Sequence, residues 1–242
     1  MTFNNQLVDK FLDAVFPLPA QFGVSEDDMP DCICFFESAV KEVDPAAYVK
    51  YGVSKIAILS PNLNGIVIKI PFNGFYYYDY NEDGNDNEEE IESVEIWEPF
   101  CWASGSDESD YCLAEYEKYQ KLKAQKLDCF VAEVIYYKTI DNTRIFLQEE
   151  ITPDHELNHS PLKKPSKKSQ KIADKWYKKR KFDINPTWIA SCLDKYGQAK
   201  VKRFLKYCNT VDVDILEDAH SGNFGYRKDS TPCILDYSNF LD

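Results

Sequence analysis

The sequence lacks several features that would assign it to a common class at once. No run of apolar residues approaches the roughly 20 that a membrane-spanning helix needs, and the first residues, MTFNNQLVDKF, lack a charged and then apolar leader. Eight cysteines occur without any Cys-x-x-Cys pair, which gives no support to a structural zinc knuckle and favours reduced thiols. We therefore expect a non-exported, cytoplasmic protein without a membrane partner.

Basic residues are missing altogether from residues 79–110, which hold 13 of the 41 acidic residues. The other 28 Asp and Glu balance the 28 Lys and Arg, so the net charge of −13 belongs to this segment. The opposite bias occurs in residues 163–181, where ten of nineteen residues are Lys or Arg. Such blocks are usually solvated, but each is also a candidate surface for a protein substrate or regulatory partner. The overall acidity argues against a nucleic-acid partner.

The apolar residues that are present predict a chain of mixed secondary structure. Hydrophobic residues make up 44% of the 242 positions, enough to fill a core. From periodicity and turn residues we expect helices over 4–16, 31–43, 107–127 (capped by Asp107 or Ser109), 186–196 and 198–208. We expect strands over 47–53, 55–59, 65–71, 130–139, 143–151, 211–216, 224–226 and 233–235, with a turn at Asn64-Gly65 and a polar connector over 152–185. This order indicates an α+β fold with an antiparallel sheet before a mostly helical part.

The most informative string is DAHSGNFGY at residues 218–226, followed by PCILDYS at residues 232–238. It places Asp218 and Asn223 five positions apart in a glycine-containing loop, and Asp236 ends a short apolar strand. Phosphoryl transfer needs such a set, because one carboxylate must orient the acceptor hydroxyl and two oxygen ligands must hold Mg²⁺.

This pattern resembles the protein-kinase-like superfamily, in which a D-x-x-x-x-N loop is followed by a strand that ends in Asp. The wording DAHSGN is similar to the D-x-H-x-G-N loop of aminoglycoside phosphotransferases, and closer still to the DMHSGN-type loop of the early protein kinase of some lytic bacteriophages. The resemblance implies that Asp218 is the catalytic aspartate, that Asn223 and Asp236 bind Mg²⁺, and that ATP is the cofactor. It also implies the host cytoplasm as the location if the source is viral.

The resemblance also assigns the upstream nucleotide-binding positions, in the order that the superfamily requires. Lys69, on the strand that starts at Gly65, would pair with the phosphates, and Glu115 would position that lysine, with Glu117 as the alternative. The strand 145–151 would enter an interlobe hinge whose backbone binds adenine. The candidate cofactor-binding residues are therefore Lys69, Glu115, Glu149, Ile151 and, as a weak stand-in for a glycine-rich loop, Gly52.

The implied architecture is a two-lobed protein-kinase-like fold with a reduced C-terminal lobe. Residues 1–45 would be a helical extension, residues 46–151 the N-lobe with the acidic insertion 79–110, and residues 152–242 a truncated C-lobe that carries the catalytic loop. The chain departs from the pattern in four places. Asp236 is followed by Tyr237-Ser238, so the glycine of the D-F-G motif is missing, and no clear G-x-G-x-x-G precedes Lys69. Leu216-Glu217 stand where most protein kinases have His-Arg, and only four residues follow Ser238, so the activation segment and the substrate-binding helices would be missing.

Three functions remain open on the sequence alone. The leading one is an ATP-dependent phosphotransferase, an enzyme that phosphorylates protein Ser or Thr. The alternative is a catalytically weak nucleotide-binding or interaction module of the same fold. The third is a zinc-dependent hydrolase, because His155, Glu156 and His159 match the H-E-x-x-H motif, although prolines bracket the motif and no apolar helix surrounds it.

Overall fold

Six α-helices and two antiparallel sheets make up the part of the chain that the structure, a computed structural model, describes. That part covers residues 3–18, 29–51, 54–73, 101–103, 110–154, 157, 163–178, 185–210 and 222–237. The helices are α1 (Asn5–Val15), α2 (Met29–Val43), α3 (Tyr111–Ala124), α4 (Lys167–Tyr177), α5 (Pro186–Tyr196) and α6 (Gln198–Thr210). The strands are β1 (Tyr48–Tyr51), β2 (Lys55–Leu59), β3 (Ile66–Asn73), β4 (Cys101–Trp102), β5 (Val134–Ile140), β6 (Thr143–Glu149), β7 (Thr152–Pro153), β8 (Phe224–Tyr226) and β9 (Pro232–Ile234). The α+β class expected from the sequence is confirmed.

The larger sheet has the strand order β1-β2-β3-β6-β5, and β4 pairs with the end of β3. Successive residues of a strand point to opposite faces, so every second residue of β2 and β3 shares a face. The isoleucines on one of these faces are almost fully buried: Ile56, Ile58, Ile68 and Ile70. They form one hydrophobic cluster with residues of α1 and α2. The two helices of the predicted extension, residues 1–45, therefore share a core with the sheet.

The opposite face of the sheet belongs to a second hydrophobic cluster. Val134 of β5 and Phe146 of β6 are buried in it, together with residues of α3, α5, α6, β8 and β9. Trp188 of α5 and Phe204 of α6 are among its largest buried side chains. The residues of β2 and β3 on this face include two lysines, and these form the site described below.

The predicted turn between β2 and β3 is confirmed and shows why its residues are needed there. A short 3₁₀ turn at Pro61–Leu63 begins with Ser60, whose side chain accepts a hydrogen bond from the Asn62 amide. Asn64 and Gly65 then follow with φ of 59° and 83°. Asn and Gly tolerate this left-handed conformation better than other residues, so the two strands can reverse direction at this point.

The expectation that residues 152–185 form only a polar connector is wrong. Strand β7 and helix α4 both lie within this range. Ser166 begins α4, because its side-chain oxygen accepts a hydrogen bond from the Ser169 amide, and such a cap satisfies one of the free amides at the helix start. Ala173 on the inner side of the helix is fully buried. The lysines within α4, Lys167, Lys168, Lys171 and Lys175, are exposed and lie on the other side of the helix.

The structure describes positions 101–103 and 110 of the acidic segment, residues 79–110. Trp102 of β4 pairs with Phe72 of β3 in the sheet, and Asp110 is the residue that caps α3, accepting a hydrogen bond from the Leu113 amide at 2.9 Å. The caps expected from the sequence, Asp107 or Ser109, are therefore not the ones used. The predicted strands 55–59 and 224–226 have the expected bounds, whereas Phe130 lies in a 3₁₀ turn before β5 instead of starting that strand. The predicted strand 211–216 lies outside the described residues.

The smaller sheet, with strand order β7-β8-β9, is tied to the larger one by Arg227. This guanidinium donates to Glu149 at the end of β6 at 2.8 Å and to the backbone carbonyls of Cys129 and Val131 at 3.0 and 2.9 Å. The amide of Ala132 also donates to the carbonyl of Ile234 in β9 at 2.7 Å. The end of β9 is consequently fixed beside the chain that enters β5.

Candidate functional site

Lys69 lies in the middle of β3, on the face of the sheet opposite the isoleucine cluster. The strand register places it directly across from Ala57 of β2 and Phe146 of β6. Directly opposed residues of an antiparallel pair point to the same face, and so do residues two apart in one strand. Lys55, two residues before Ala57, therefore shares the face of Lys69.

Glu115 of α3 meets Lys69 across this face, as the sequence analysis expected. The Lys69 ammonium donates to both carboxylate oxygens of Glu115, at 2.7 and 3.0 Å. The buried side of α3 carries Cys112, Glu115, Tyr119 and Leu122, a spacing of three to four residues that keeps them on one helical face. Glu117, the alternative partner of the lysine, is exposed. The contact is thus made by Glu115, while its catalytic role stays a prediction.

Lys55, at the start of β2, connects this pair to Asp236, and the sequence analysis did not assign it a role. Its ammonium lies 3.1 Å from a Glu115 oxygen and 2.9 Å from both oxygens of Asp236. Lys55, Lys69, Glu115 and Asp236 therefore form one group of two ammonium and two carboxylate groups, which we call the four-charge cluster. The structure thus brings together three predicted site residues, Lys69, Glu115 and Asp236. Lys55 is the member that the sequence did not predict.

The four-charge cluster runs from the interior towards solvent. The side chain of Glu115 is fully buried, those of Lys69 and Lys55 are 6% and 12% exposed, and that of Asp236 is 25% exposed. A ligand that reaches the cluster must therefore approach from the side of Asp236 and Lys55.

Burial and the neighbouring charges shift the pKa values of the groups in the four-charge cluster. Burial raises the pKa of Glu115, and the ammonium groups of Lys55 and Lys69 offset this only in part. Burial also acts to raise the pKa of Asp236, but the charges of Lys55 and Lys69 outweigh it and hold that pKa well below its usual range. Burial acts to lower the pKa of Lys55, whereas Asp236 and Glu115 raise it above its ordinary value. Asp236 is thus an anion and Lys55 a cation at neutral pH.

Hydrogen bonds to its two neighbours in the chain hold Asp236 in place. The Leu235 amide donates to the carbonyl of Asn223 at 2.8 Å, and the Leu235 carbonyl accepts from the side-chain amide of Gln148 at 2.8 Å. The hydroxyl of Tyr237, a buried residue, donates to the Ala132 carbonyl at 2.9 Å. Asn223 is itself buried and immediately precedes β8, so the two predicted metal ligands lie beside the same end of the β8-β9 pair.

Gln148 and Tyr237 thus hold the backbone on either side of Asp236, and neither contact was predicted from the sequence. The aromatic residue that follows Asp236 was nevertheless a usable signal, because a buried aromatic side chain can fix the backbone next to it. Gln148 carried no comparable signal, since its partner lies 87 positions away in the chain.

The predicted hinge, at the end of β6, is partly engaged in other contacts. The Glu149 amide donates to the Glu133 carbonyl, and the Glu150 amide donates to the Gly65 carbonyl, both at 2.9 Å. The Glu149 carboxylate binds Arg227. Ile151 is 8% exposed and packs near Cys233. Of the two predicted adenine-binding positions, Glu149 therefore has its amide and its side chain committed within the protein.

The remaining predicted site residues lie outside the described residues. They are the catalytic candidate Asp218, the loop candidate Gly52 and the zinc-motif residues His155, Glu156 and His159. Within the described ranges, no group of three or more His, Cys, Asp or Glu side chains is arranged to hold a metal ion.

The basic segment, residues 163–181, contributes to a groove between α4 and α6. This groove has a volume of about 780 Å³, and four lysines, two from each helix, line it together with apolar side chains: Lys171, Ile172, Lys175, Trp176, Gln198, Lys202, Leu205 and Lys206. All four lysines are exposed, and the Lys202 ammonium lies 5.8 Å from the centroid of the Trp176 ring. Among the described residues that line the groove, four are lysines and none is acidic, so the lining carries a net positive charge within an acidic protein.

The comparisons with known proteins add nothing to this geometry. No protein-family model matches the chain, and no curated protein matches it either. Within the described ranges, none of the helices combines the length and the apolar character needed to span a bilayer.

Proposed function

We propose that the chain is an ATP-dependent phosphotransferase with a two-lobed, protein-kinase-like fold. The observation that carries the proposal is the buried pair of Lys69 and Glu115, joined through Lys55 to Asp236 at the partly exposed end of the cluster. A buried strand lysine held by a helix glutamate beside a strand-end aspartate is the arrangement that kinase-type phosphoryl transfer uses. The three residues come from positions 69, 115 and 236, which are far apart in the chain.

The proposed chemistry assigns a task to each side chain. Lys69 would donate to phosphate oxygens of ATP, and Glu115 would keep the lysine ammonium in position. Asp218 would accept the proton of the acceptor hydroxyl. The hydroxyl oxygen would bond to the γ-phosphorus while the bond from that phosphorus to the β-γ bridging oxygen breaks, which releases ADP. Asn223 and Asp236 offer the oxygen donors that Mg²⁺ prefers, and the ion would offset phosphate charge. Because the Glu149 amide already donates to the Glu133 carbonyl, the backbone of Ile151 would make the contact with adenine.

The second candidate is a nucleotide-binding or interaction module with weak or no transfer activity. One observation favours it: both oxygens of Asp236 already lie 2.9 Å from the Lys55 ammonium, so a metal ion must compete with a built-in cation. This candidate predicts Mg-dependent thermal stabilisation by ATP without phosphate transfer.

The proposed activity is tested directly by incubating the full chain with γ-labelled ATP, MgCl₂ and casein. We expect label on the chain itself or on casein, and we expect Asp218→Ala to reduce the rate at least about 100-fold, since it removes the group that takes the proton. The matched control is Asp229→Ala, which removes an exposed carboxylate paired with Lys195 on the surface. Absence of transfer by the unaltered chain, or equal loss in both variants, contradicts the assignment.

The acceptor would be a protein that presents an acidic segment to the groove between α4 and α6. Four exposed lysines without an acidic neighbour in the groove provide the charge complementarity. We therefore expect the double change Lys171→Glu/Lys202→Glu to raise the KM for casein, an acidic protein, about tenfold while the KM for ATP stays unchanged. The control is Lys10→Glu/Lys121→Glu, which alters net charge equally at two exposed sites elsewhere. An equal rise in both double variants would show that net charge alone matters.

A further inference from the structure

Lys55 occupies the position that a cation bound to Asp236 would take. Its ammonium is equidistant, at 2.9 Å, from the two Asp236 oxygens, and it also lies 3.1 Å from a Glu115 oxygen. Side-chain exposure of 12% means that most of this lysine is removed from water. An ammonium at this distance offsets the charge of a partly buried carboxylate, as a bound cation would, and the four-charge cluster is balanced without any added ion.

A divalent cation cannot join this arrangement without changing it. An ion on Asp236 would face the Lys55 ammonium at contact distance, and like charges repel strongly where water is largely excluded. A triphosphate has the opposite effect on Lys55, because its negative charges attract the ammonium groups of both Lys55 and Lys69. Lysine has a flexible four-carbon stem and three rotatable donors, so its ammonium can exchange one oxygen partner for another without movement of β2.

We propose that Lys55 stands in for a metal ion at Asp236 in the ligand-free protein and transfers to phosphate oxygens when a nucleotide binds. This inference rests on the proposed function, because it names a second phosphate-binding lysine for the same site. It has two consequences of opposite sign. Lys55 weakens the binding of Mg²⁺ alone, since the two cations compete for one carboxylate, and it strengthens the binding of ATP in the absence of Mg²⁺.

The test compares the unaltered chain with Lys55→Met, which keeps most of the stem but removes the charge. Calorimetry measures the Kd of Mg²⁺ alone and the Kd of ATP in the presence of EDTA. We expect Lys55→Met to bind Mg²⁺ about tenfold more tightly and metal-free ATP about tenfold more weakly. Lys55→Gln, which is neutral and polar, serves as the second variant if the methionine variant does not fold, and thermal unfolding reports the folding of both. Lys121→Met, on the exposed side of α3, is the charge-matched control and should shift neither Kd.

The outcomes separate this inference from the proposed function. If the unaltered chain binds ATP with Mg²⁺, but the Lys55 variants shift both affinities in the same direction or shift neither, the role of Lys55 is overturned and the proposed function stands. If Mg²⁺ alone binds neither the unaltered chain nor the variants, the competition does not exist and the inference fails. If the unaltered chain does not bind ATP under any of these conditions, the proposed function fails first and the inference with it.

Discussion

Replacement of Glu115 by alanine is expected to lower the free energy of unfolding by about 3–5 kcal/mol, the usual cost of removing one partner from a buried ion pair. The carboxylate is fully buried and accepts hydrogen bonds from Lys69 at 2.7 Å and from Lys55 at 3.1 Å. Without it, two largely buried ammonium groups share the single carboxylate of Asp236. Urea unfolding at neutral pH measures the loss as a lower midpoint at an unchanged slope.

Glu117→Ala is the matched control for this change, because Glu117 lies on the same helix and is exposed. We expect it to alter stability by less than about 0.5 kcal/mol. A loss below about 1 kcal/mol in Glu115→Ala, or a loss of similar size in the two variants, would mean that the glutamate does not hold the lysines together. Phosphate transfer should fall in Glu115→Ala and persist in Glu117→Ala.

Lys69→Met is expected to weaken the binding of Mg-ATP about 10- to 100-fold. A hydrogen bond to a charged group contributes roughly 1.5–3 kcal/mol, and a factor of ten in Kd corresponds to about 1.4 kcal/mol. Methionine preserves the length and apolar stem of the side chain beside Ala57 and Phe146, and Lys55 remains as an ammonium partner of Glu115. The variant should therefore fold with reduced stability, which thermal unfolding measures. Calorimetric titration with Mg-ATP measures the effect.

The control for Lys69→Met is again Lys121→Met, which removes one positive charge from an exposed position. Its affinity for Mg-ATP should match that of the unaltered chain. If Lys69→Met bound Mg-ATP as tightly as this control, the lysine would be a structural partner of Glu115 and nothing more.

Three residues of this site, Lys69, Glu115 and Asp236, were predicted from the sequence. Lys69 interrupts an apolar strand, and an unpaired lysine in such a strand needs a partner when both faces of the sheet are covered. The resemblance assigned Glu115, with Glu117 as the alternative, and the structure places Glu115 on the buried side of α3. Asp236 stood at the end of a short apolar run. For Lys69 and Asp236 the signal lay within about ten neighbouring residues.

Lys55 was missed because its role depends on strand register. In the sequence it follows Gly52-Val53-Ser54, which suggested the end of a loop. Only the pairing of Lys55 with Pro71 and of Ala57 with Lys69 shows that both lysines share one face, since a shift of one residue would turn Lys55 to the other side. Register between β2 and β3 is a property of the folded sheet.

Helix α4 was missed for a different reason, since its composition concealed its periodicity. Seven of the sixteen residues in 163–178 are lysines, and this charge favoured a solvated connector. The two available signals were the cap at Ser166 and the spacing of Ile172, Ala173 and Trp176, which places apolar groups on one side of a helix. The local sequence favours helix α4 only weakly, and packing against α5 stabilises it.

The central claim is that the four-charge cluster receives the phosphates of a nucleotide, and a phosphate-length series tests it most directly. Calorimetric titration of the unaltered chain with ATP, ADP and AMP in MgCl₂ should give affinities that fall with each phosphate removed, with AMP at least about tenfold weaker than ATP. Equal affinities for ATP and AMP, or no binding of ATP, would contradict the claim.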